Sequence, residues 1–247
     1  MPKYFLVLGF LACTFSLSAQ KTKVRAKLTE TSVVKDSSGN VFPFEIWKTV
    51  ISSSNITVYP ENPQDENSAW IIKRLTKEEK LGLMGKMPKP VESQFFNTGA
   101  KFKTFNETDM NGKRFKIKEL TGKVIVVNFW FINCPPCRME IPELNELVES
   151  YKDNSNVIFL AIALDQKSDL REFLRLSPFN YNIIDNGTVL AQSYRVTSFP
   201  THLVIDKEGK VKFHTTGLAK NTVHWVKKSI EESLAAPVVA PGITPGK

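Results

Sequence analysis

Cys134 and Cys137, separated only by Pro135 and Pro136, follow an apolar run at 124–131 and precede a stretch with helical spacing. A sulfur at such a strand-to-helix turn sits over free N–H groups and the positive end of the helix dipole, which stabilise its thiolate. Thiolates attack disulfides. Only Cys13 adds to this pair in 247 residues. A structural staple gains most by closing a long loop, whereas bridging residues three apart constrains the unfolded chain least. The pair therefore serves redox reactivity or metal. Two thiolates and a histidine can hold copper or zinc, and the chain has His202, His214 and His224. A copper- or zinc-binding metallochaperone is thus the alternative to disulfide exchange. Against it, His202 falls in a predicted strand, and the three histidines read as ordinary strand or surface residues.

The elements that must position the cysteines follow from periodicity. Residues 124–131 are apolar on both faces, as a central parallel strand requires. The next segment places Cys137, Ile141, Leu144, Leu147, Val148 and Tyr151 along one helix side, with Pro142 predicting a kink. A second buried strand spans 157–164. A helix over 168–176 begins with Ser168 as N-cap, and a short strand at 181–184 leads to a helix at 188–194. Residues 201–206 and 211–214 form an antiparallel hairpin, and a last helix covers 221–234. Ahead of the cysteines, 102–105 and 115–117 read as strands. From about residue 95, strands alternate with helices, the pattern of an α/β layer structure.

The start of the chain differs in character. Residues 1–19 have Lys3, an apolar stretch and small residues ahead of Gln20, and read as a signal peptide for a periplasmic or secreted protein. Lipidation at Cys13 is the alternative, giving a lipid-anchored protein. Residues 20–90 form a small β-rich region with strands at 33–34, 41–47, 50–51 and 56–59. Trp70, Ile71, Ile72 and Leu75 suggest helical turns, continued behind a capping box at Thr76 and Glu79. A linker at 88–90 leads to the domain at 95–235, and the proline-bearing tail at 236–247 is expected to be disordered. With 42% apolar residues the chain can build a core. Its net charge of +8 is spread along the chain without the dense basic patch that nucleic-acid binding needs, and permits at most weak association with anionic membrane headgroups.

The order of strand, Cys-x-x-Cys, proline-bearing helix, strand and helix, with Phe199-Pro200-Thr201 before a hairpin, resembles the thioredoxin fold. Within it the chain is similar to the TlpA/ResA-like exported thiol-disulfide oxidoreductases. That likeness rests on Asn128-Phe129-Trp130, on Glu140 three residues beyond Cys137, on Pro142, on Phe199-Pro200-Thr201 and on an insertion-like segment at 167–186. It covers about 95–234 and leaves the first third of the mature chain unexplained. It implies a central mixed sheet flanked by helices, and a redox-active Cys134–Cys137 disulfide in place of any cofactor or metal.

In that setting Cys134 is the exposed nucleophile and Cys137 resolves the mixed disulfide. Glu140, on the same helix face, takes or returns the Cys137 proton. The resemblance implies a cis Pro200 whose loop faces the cysteines, presents the backbone of Phe199 to an extended substrate and keeps metals off the pair. Pro135, Pro136 and Trp130 complete the expected substrate-binding set, although Trp130 and Phe131 suit core or rim packing better than specific recognition. The implied partners are exported protein thiols and disulfides, such as those of apocytochromes c, and a membrane-bound thiol electron donor; the implied direction is reduction.

Two departures from thioredoxin bear on this: Asn133 stands where thioredoxins carry tryptophan, and Pro135-Pro136 replaces Gly-Pro, so the reduction potential does not carry over. Asn128 takes the place of thioredoxin's buried acid, as in the TlpA/ResA-like proteins, which moves proton transfer towards Glu140. A third reading, a redox-inactive binding module worked by residues 20–90, would leave Cys134 without a role.

Overall fold

The computed structural model describes residues 25–53 and 55–237, so the signal segment with Cys13 and the tail from 238 lie outside the described residues. The chain divides into two compact units, one of residues up to Trp47 with Val58–Lys73, the other of Lys48–Thr57 with residues from Arg74 onward. Among the described residues, no helix is long and apolar enough to cross a membrane.

The first unit carries most of a four-stranded sheet, in the order β2-β1-β4-β3, made of β1 (Val34–Lys35), β2 (Val41–Phe42), β3 (Ile56–Pro60) and β4 (Trp70–Arg74). Three expectations fail here. Residues 44–47 are not strand but the start of helix α1 (Phe44–Val50), and 50–51 are not strand but the end of that helix and the turn after it. The Pro43 carbonyl accepts from the N–H groups of Ile46 and Trp47, and the rings of Phe44 and Trp47, one turn apart, meet edge to face at 5.0 Å. Conversely, Trp70 to Ile72 are strand rather than helical turns, because pairing with β1 satisfies a β-branched pair better than an isolated turn would. The expected capping box is present at α2 (Lys77–Lys86): Thr76 accepts from the Glu79 N–H, and the Glu79 carboxylate accepts from the Thr76 N–H.

In the second unit, the sheet that positions the cysteines has the order β11-β10-β7-β8-β9. Its strands are β7 (Val124–Trp130), β8 (Val157–Ala163), β9 (Asn182–Ile184), β10 (Thr201–Ile205) and β11 (Val211–Thr216). β7, β8 and β9 run parallel, whereas β10 runs antiparallel to both of its neighbours, β7 and β11, which makes the sheet mixed as expected. Every residue of β7 is buried, and alternate side chains feed two cores. Val124, Val126 and Trp130 join Leu144 and Leu147 of α3 (Pro135–Glu149) and Val226 and Ile230 of α6 (Thr222–Ala235) on one face. Ile125, Val127 and Phe129 meet Phe105, Tyr194 and Leu203 on the other.

The pair β5 (Asn106–Thr108) and β6 (Arg114–Lys116) is antiparallel. Residues 102–105 are not a strand; Phe102 and Phe105 instead bury their rings against Tyr194. Helix α4 (Lys167–Leu176) is capped by position at Gln166, without a side-chain cap, so Ser168 lies inside the helix.

Gly187 precedes α5 (Thr188–Ser193), and a Cβ there would lie 2.4 Å from Ile162 Cγ2 and 2.9 Å from the Ala163 carbonyl oxygen. Its backbone angle is ordinary, φ −72°, so the requirement is for space at the end of β8. Gly187→Ala is expected to cost about 1–3 kcal/mol, the range for overpacking. A urea midpoint unchanged from wild type would show that β8 and α5 can separate to admit a methyl group.

Candidate functional site: a cysteine pair backed by a buried carboxylate and imidazole

The antiparallel register sets Thr201 of β10 opposite Phe129 of β7. The loop leaving β7 and the loop entering β10 therefore emerge at the same end of the sheet. On the first loop, the Asp165 carboxylate accepts from the Ile132 N–H at 2.8 Å and the Phe131 carbonyl accepts from the Cys134 N–H at 3.2 Å. On the second, the Phe199–Pro200 peptide is cis, the Pro200 carbonyl accepts from the Gly217 N–H at 2.8 Å, and the Thr201 hydroxyl donates to the Ser198 carbonyl at 2.7 Å. The rings of Phe131 and Phe199 meet edge to face at 5.4 Å, joining the two loops.

Cys134 and Cys137 form a disulfide, with Cys134 as the N-cap of α3 and Pro135 and Pro136 filling the first turn. Prolines have no N–H, so the first backbone donor of the helix belongs to Cys137, and it donates to Cys134 Sγ at 3.3 Å. The structure corrects the expected exposure of the nucleophile: in the disulfide, Cys134 and Cys137 are each 3% exposed and belong to the core beside α3. What faces solvent is the rim. Asn133 and Pro135 are exposed, while Phe131, Pro136 and Phe199 are half-buried and Pro200 is buried.

Trp130 is a second correction. It is 1% exposed and packs against Phe179 and Phe173, with ring centroids at 5.3 and 5.7 Å. β7 points its last side chain into the core, so Trp130 cannot touch a substrate.

Behind the disulfide, Glu140 lies one turn beyond Cys137 on the buried side of α3. It is 5% exposed, and its Oε2 is 2.8 Å from Nε2 of a fully buried His202. Asn128 Nδ2 is 3.0 Å from His202 Nδ1. Tyr181 is buried nearby; desolvation first, and the Glu140 carboxylate second, push its hydroxyl far above the ordinary tyrosine range.

His202 is thus no ordinary strand residue, which corrects the sequence reading: both ring nitrogens are engaged with Glu140 and Asn128. A signal was available. Asn128 and His202 are polar residues in two mainly apolar strands that are buried throughout, and buried polar groups are nearly always paired. His214 and His224 lie elsewhere, the first beside Phe96 and Glu92, the second on α6.

A profile of the AhpC/TSA family matches residues 98–214. The thiol-disulfide oxidoreductase ResA of Bacillus cereus is 35% identical over 114 residues, covering 46% of this chain and 66% of the relative, so the match spans slightly less than two thirds of that protein. ResA of Bacillus thuringiensis subsp. konkukian is 31% identical over 137 residues, covering 55% of this chain and 70% of the relative. Among solved structures, a protein assigned as the thiol:disulfide interchange protein DsbE from Chlorobium tepidum superposes with a TM-score of 0.52 at 26% identity, covering 57% of this chain and 99% of that one. One assigned as a protein disulfide isomerase from Bacteroides thetaiotaomicron gives 0.53 at 22% identity over 60% and 96% of the two chains, a likeness of fold. A thioredoxin-like α/β scaffold that carries a Cys-x-x-Cys pair at a helix N-terminus, with these relatives, places the chain in the ResA-like family of thiol-disulfide oxidoreductases.

Proposed function

We propose that this protein is an exported reductase of protein disulfides, with Cys134 attacking the partner, Cys137 resolving the mixed disulfide and Glu140 handling the Cys137 proton. The exchange resides in residues 95–235 and needs no cofactor beyond the cysteine pair. The observation that carries the direction is the donor count at Cys134 Sγ: with prolines at both intervening positions, the N–H of Cys137 is the donor the first turn supplies. A thiolate with fewer donors is less stabilised, and a less stabilised reduced state makes a more reducing couple.

The half-buried rim of Phe131, Pro136 and Phe199 suits an extended, partly apolar segment around the partner's cysteine. Exported proteins such as apocytochromes c would supply such segments, and a membrane-bound thiol donor would return the electrons. The signal-like pattern of residues 1–19 supports the export.

The test is the reduction potential of the purified protein in dithiothreitol buffers. It is expected near or below the ~−270 mV of thioredoxin. A value towards the ~−120 mV of a strong oxidant would reverse the direction.

A further inference from the structure

Asn128 and His202 stand opposite each other in the β7–β10 register, 2% and 0% exposed. An amide nitrogen can only donate, and Asn128 Nδ2 lies 3.0 Å from His202 Nδ1 and 3.3 Å from Nε2; with Nε2 facing the Glu140 carboxylate, we assign the nearer nitrogen, Nδ1, as the acceptor. The ring proton is then on Nε2, which donates to Glu140 Oε2 at 2.8 Å. Each end of this chain leaves a buried acceptor without a hydrogen-bond partner: Glu140 Oε1 at one, Asn128 Oδ1 at the other.

Unpaired buried acceptors are costly, and both of these gain a donor when protonation changes. Reduction creates a thiol on Cys137, one turn from Glu140 on the same buried helix side, which can donate to Oε1. Turning the Asn128 amide over brings Oδ1 to Nδ1, where it can accept from a doubly protonated ring. The same three side chains therefore accommodate one proton more or one fewer.

We infer that His202 is a positioning residue that holds the Glu140 carboxyl behind the cysteine pair and, with Asn128, provides a second seat for the proton leaving Cys137. This rests on the reading of Glu140 as the Cys137 proton acceptor. In the step concerned, the partner is bonded to Cys134. The Cys137 thiol gives its proton to the Glu140–His202 pair, and its electron pair forms the bond to Cys134 Sγ. The bond between Cys134 and the partner breaks, and the partner sulfur leaves with that electron pair as a thiolate. The cysteine pair is oxidised by two electrons, the partner's disulfide is reduced by the same two, and the proton neutralises the single negative charge of the Glu140–His202 pair.

Few other titratable groups face the pair. Tyr181, from the segment before β9, feels Glu140. Lys220, from the loop before α6, shares with Glu140 and Glu143 a cavity of about 240 Å3. Glu143 itself is tied to Lys80 at 2.7 Å. His224 of α6 feels Glu143, and His214 lies against Phe96 on the other face of the sheet.

Reduced full-length protein mixed with Ellman's reagent separates the two sulfurs: the first chromophore is released when Cys134 attacks, the second when Cys137 displaces it. His202→Gln keeps a donor for Glu140 but cannot hold the extra proton. It is expected to leave the first phase unchanged within about twofold and to slow the second at neutral pH by at least about tenfold, the low end for a positioned base. The second phase should then rise steeply with pH where wild type is flat. Glu140→Gln should do the same, and the double variant should be no slower than Glu140→Gln alone.

A His202→Gln second phase that superimposes on wild type from about pH 5 to about pH 9, beside a slowed Glu140→Gln, overturns the role of His202 and leaves that of Glu140. A Glu140→Gln profile that matches wild type overturns both. Should the His202 variant fail to fold, NMR titration of the His202 ring in the wild-type protein decides. Different midpoints in the oxidised and reduced states are expected, and identical curves overturn the inference.

Discussion

Cys134→Ser is expected to lower disulfide exchange to the uncatalysed background, while Cys137→Ser accumulates a mixed disulfide with one partner per chain. The asymmetry follows from the helix start. Cys134 is the N-cap, with its sulfur held by the Cys137 N–H and its neighbours Asn133 and Pro135 exposed, so an incoming disulfide reaches it first. Cys137 lies inside the first turn, behind Pro135 and Pro136; the two cysteines are equally buried in the disulfide, so its role as the second sulfur rests on this position in the helix and not on burial.

Mass spectrometry of each variant incubated with a disulfide-bearing peptide checks this. Trapping by Cys134→Ser instead of Cys137→Ser would make Cys137 the attacking sulfur. Neither variant should unfold the protein, because a bridge between residues three apart closes the shortest of loops and stabilises correspondingly little.

Trp130→Ala is expected to be the most damaging single change to stability, at about 3–5 kcal/mol, the range for deleting a buried aromatic side chain. Trp130 is one of the largest fully buried side chains. It ends β7 and packs against Phe173 of α4 and against Phe179, so its removal opens a cavity directly beneath the strand-to-helix turn. Domains of this kind are stable by only about 5–15 kcal/mol, so the variant should lose a large share of its urea midpoint.

Trp130→Phe should cost much less, since it keeps a ring among the aromatic neighbours and Nε1 has no hydrogen bond to lose. An alanine variant with wild-type stability and weakened substrate binding would restore Trp130 to the substrate-binding rim.

Most of the exchange domain could be read from local pattern. The run at 124–130 is apolar on both faces, the helix behind Cys134 repeats its apolar residues every three or four positions, and the turn at 207–210 separates two strands. These features depend on neighbours close in sequence, and the elements formed where the pattern placed them. The same local logic misread 44–47 and 70–72, where short aromatic and β-branched runs suit helix and strand alike. There, pairing of β4 with β1 and the contact between Phe44 and Trp47 decided the outcome.

The place of the cysteine pair at a strand-to-helix turn was also legible, because it is a property of consecutive residues. Burial of Cys134 was not: it depends on what packs from distant segments. Nor was the Asn128–His202–Glu140 chain, whose members come from three elements. Asn128 and His202 meet because β7 and β10 pair in one antiparallel register, and Glu140 meets His202 because α3 packs on that face of the sheet. The sequence alone therefore determined where the cysteine pair sits, at the start of the helix, while the tertiary structure decided which side chains stand behind it, because a one-residue slip of β10 would turn His202 to the opposite face.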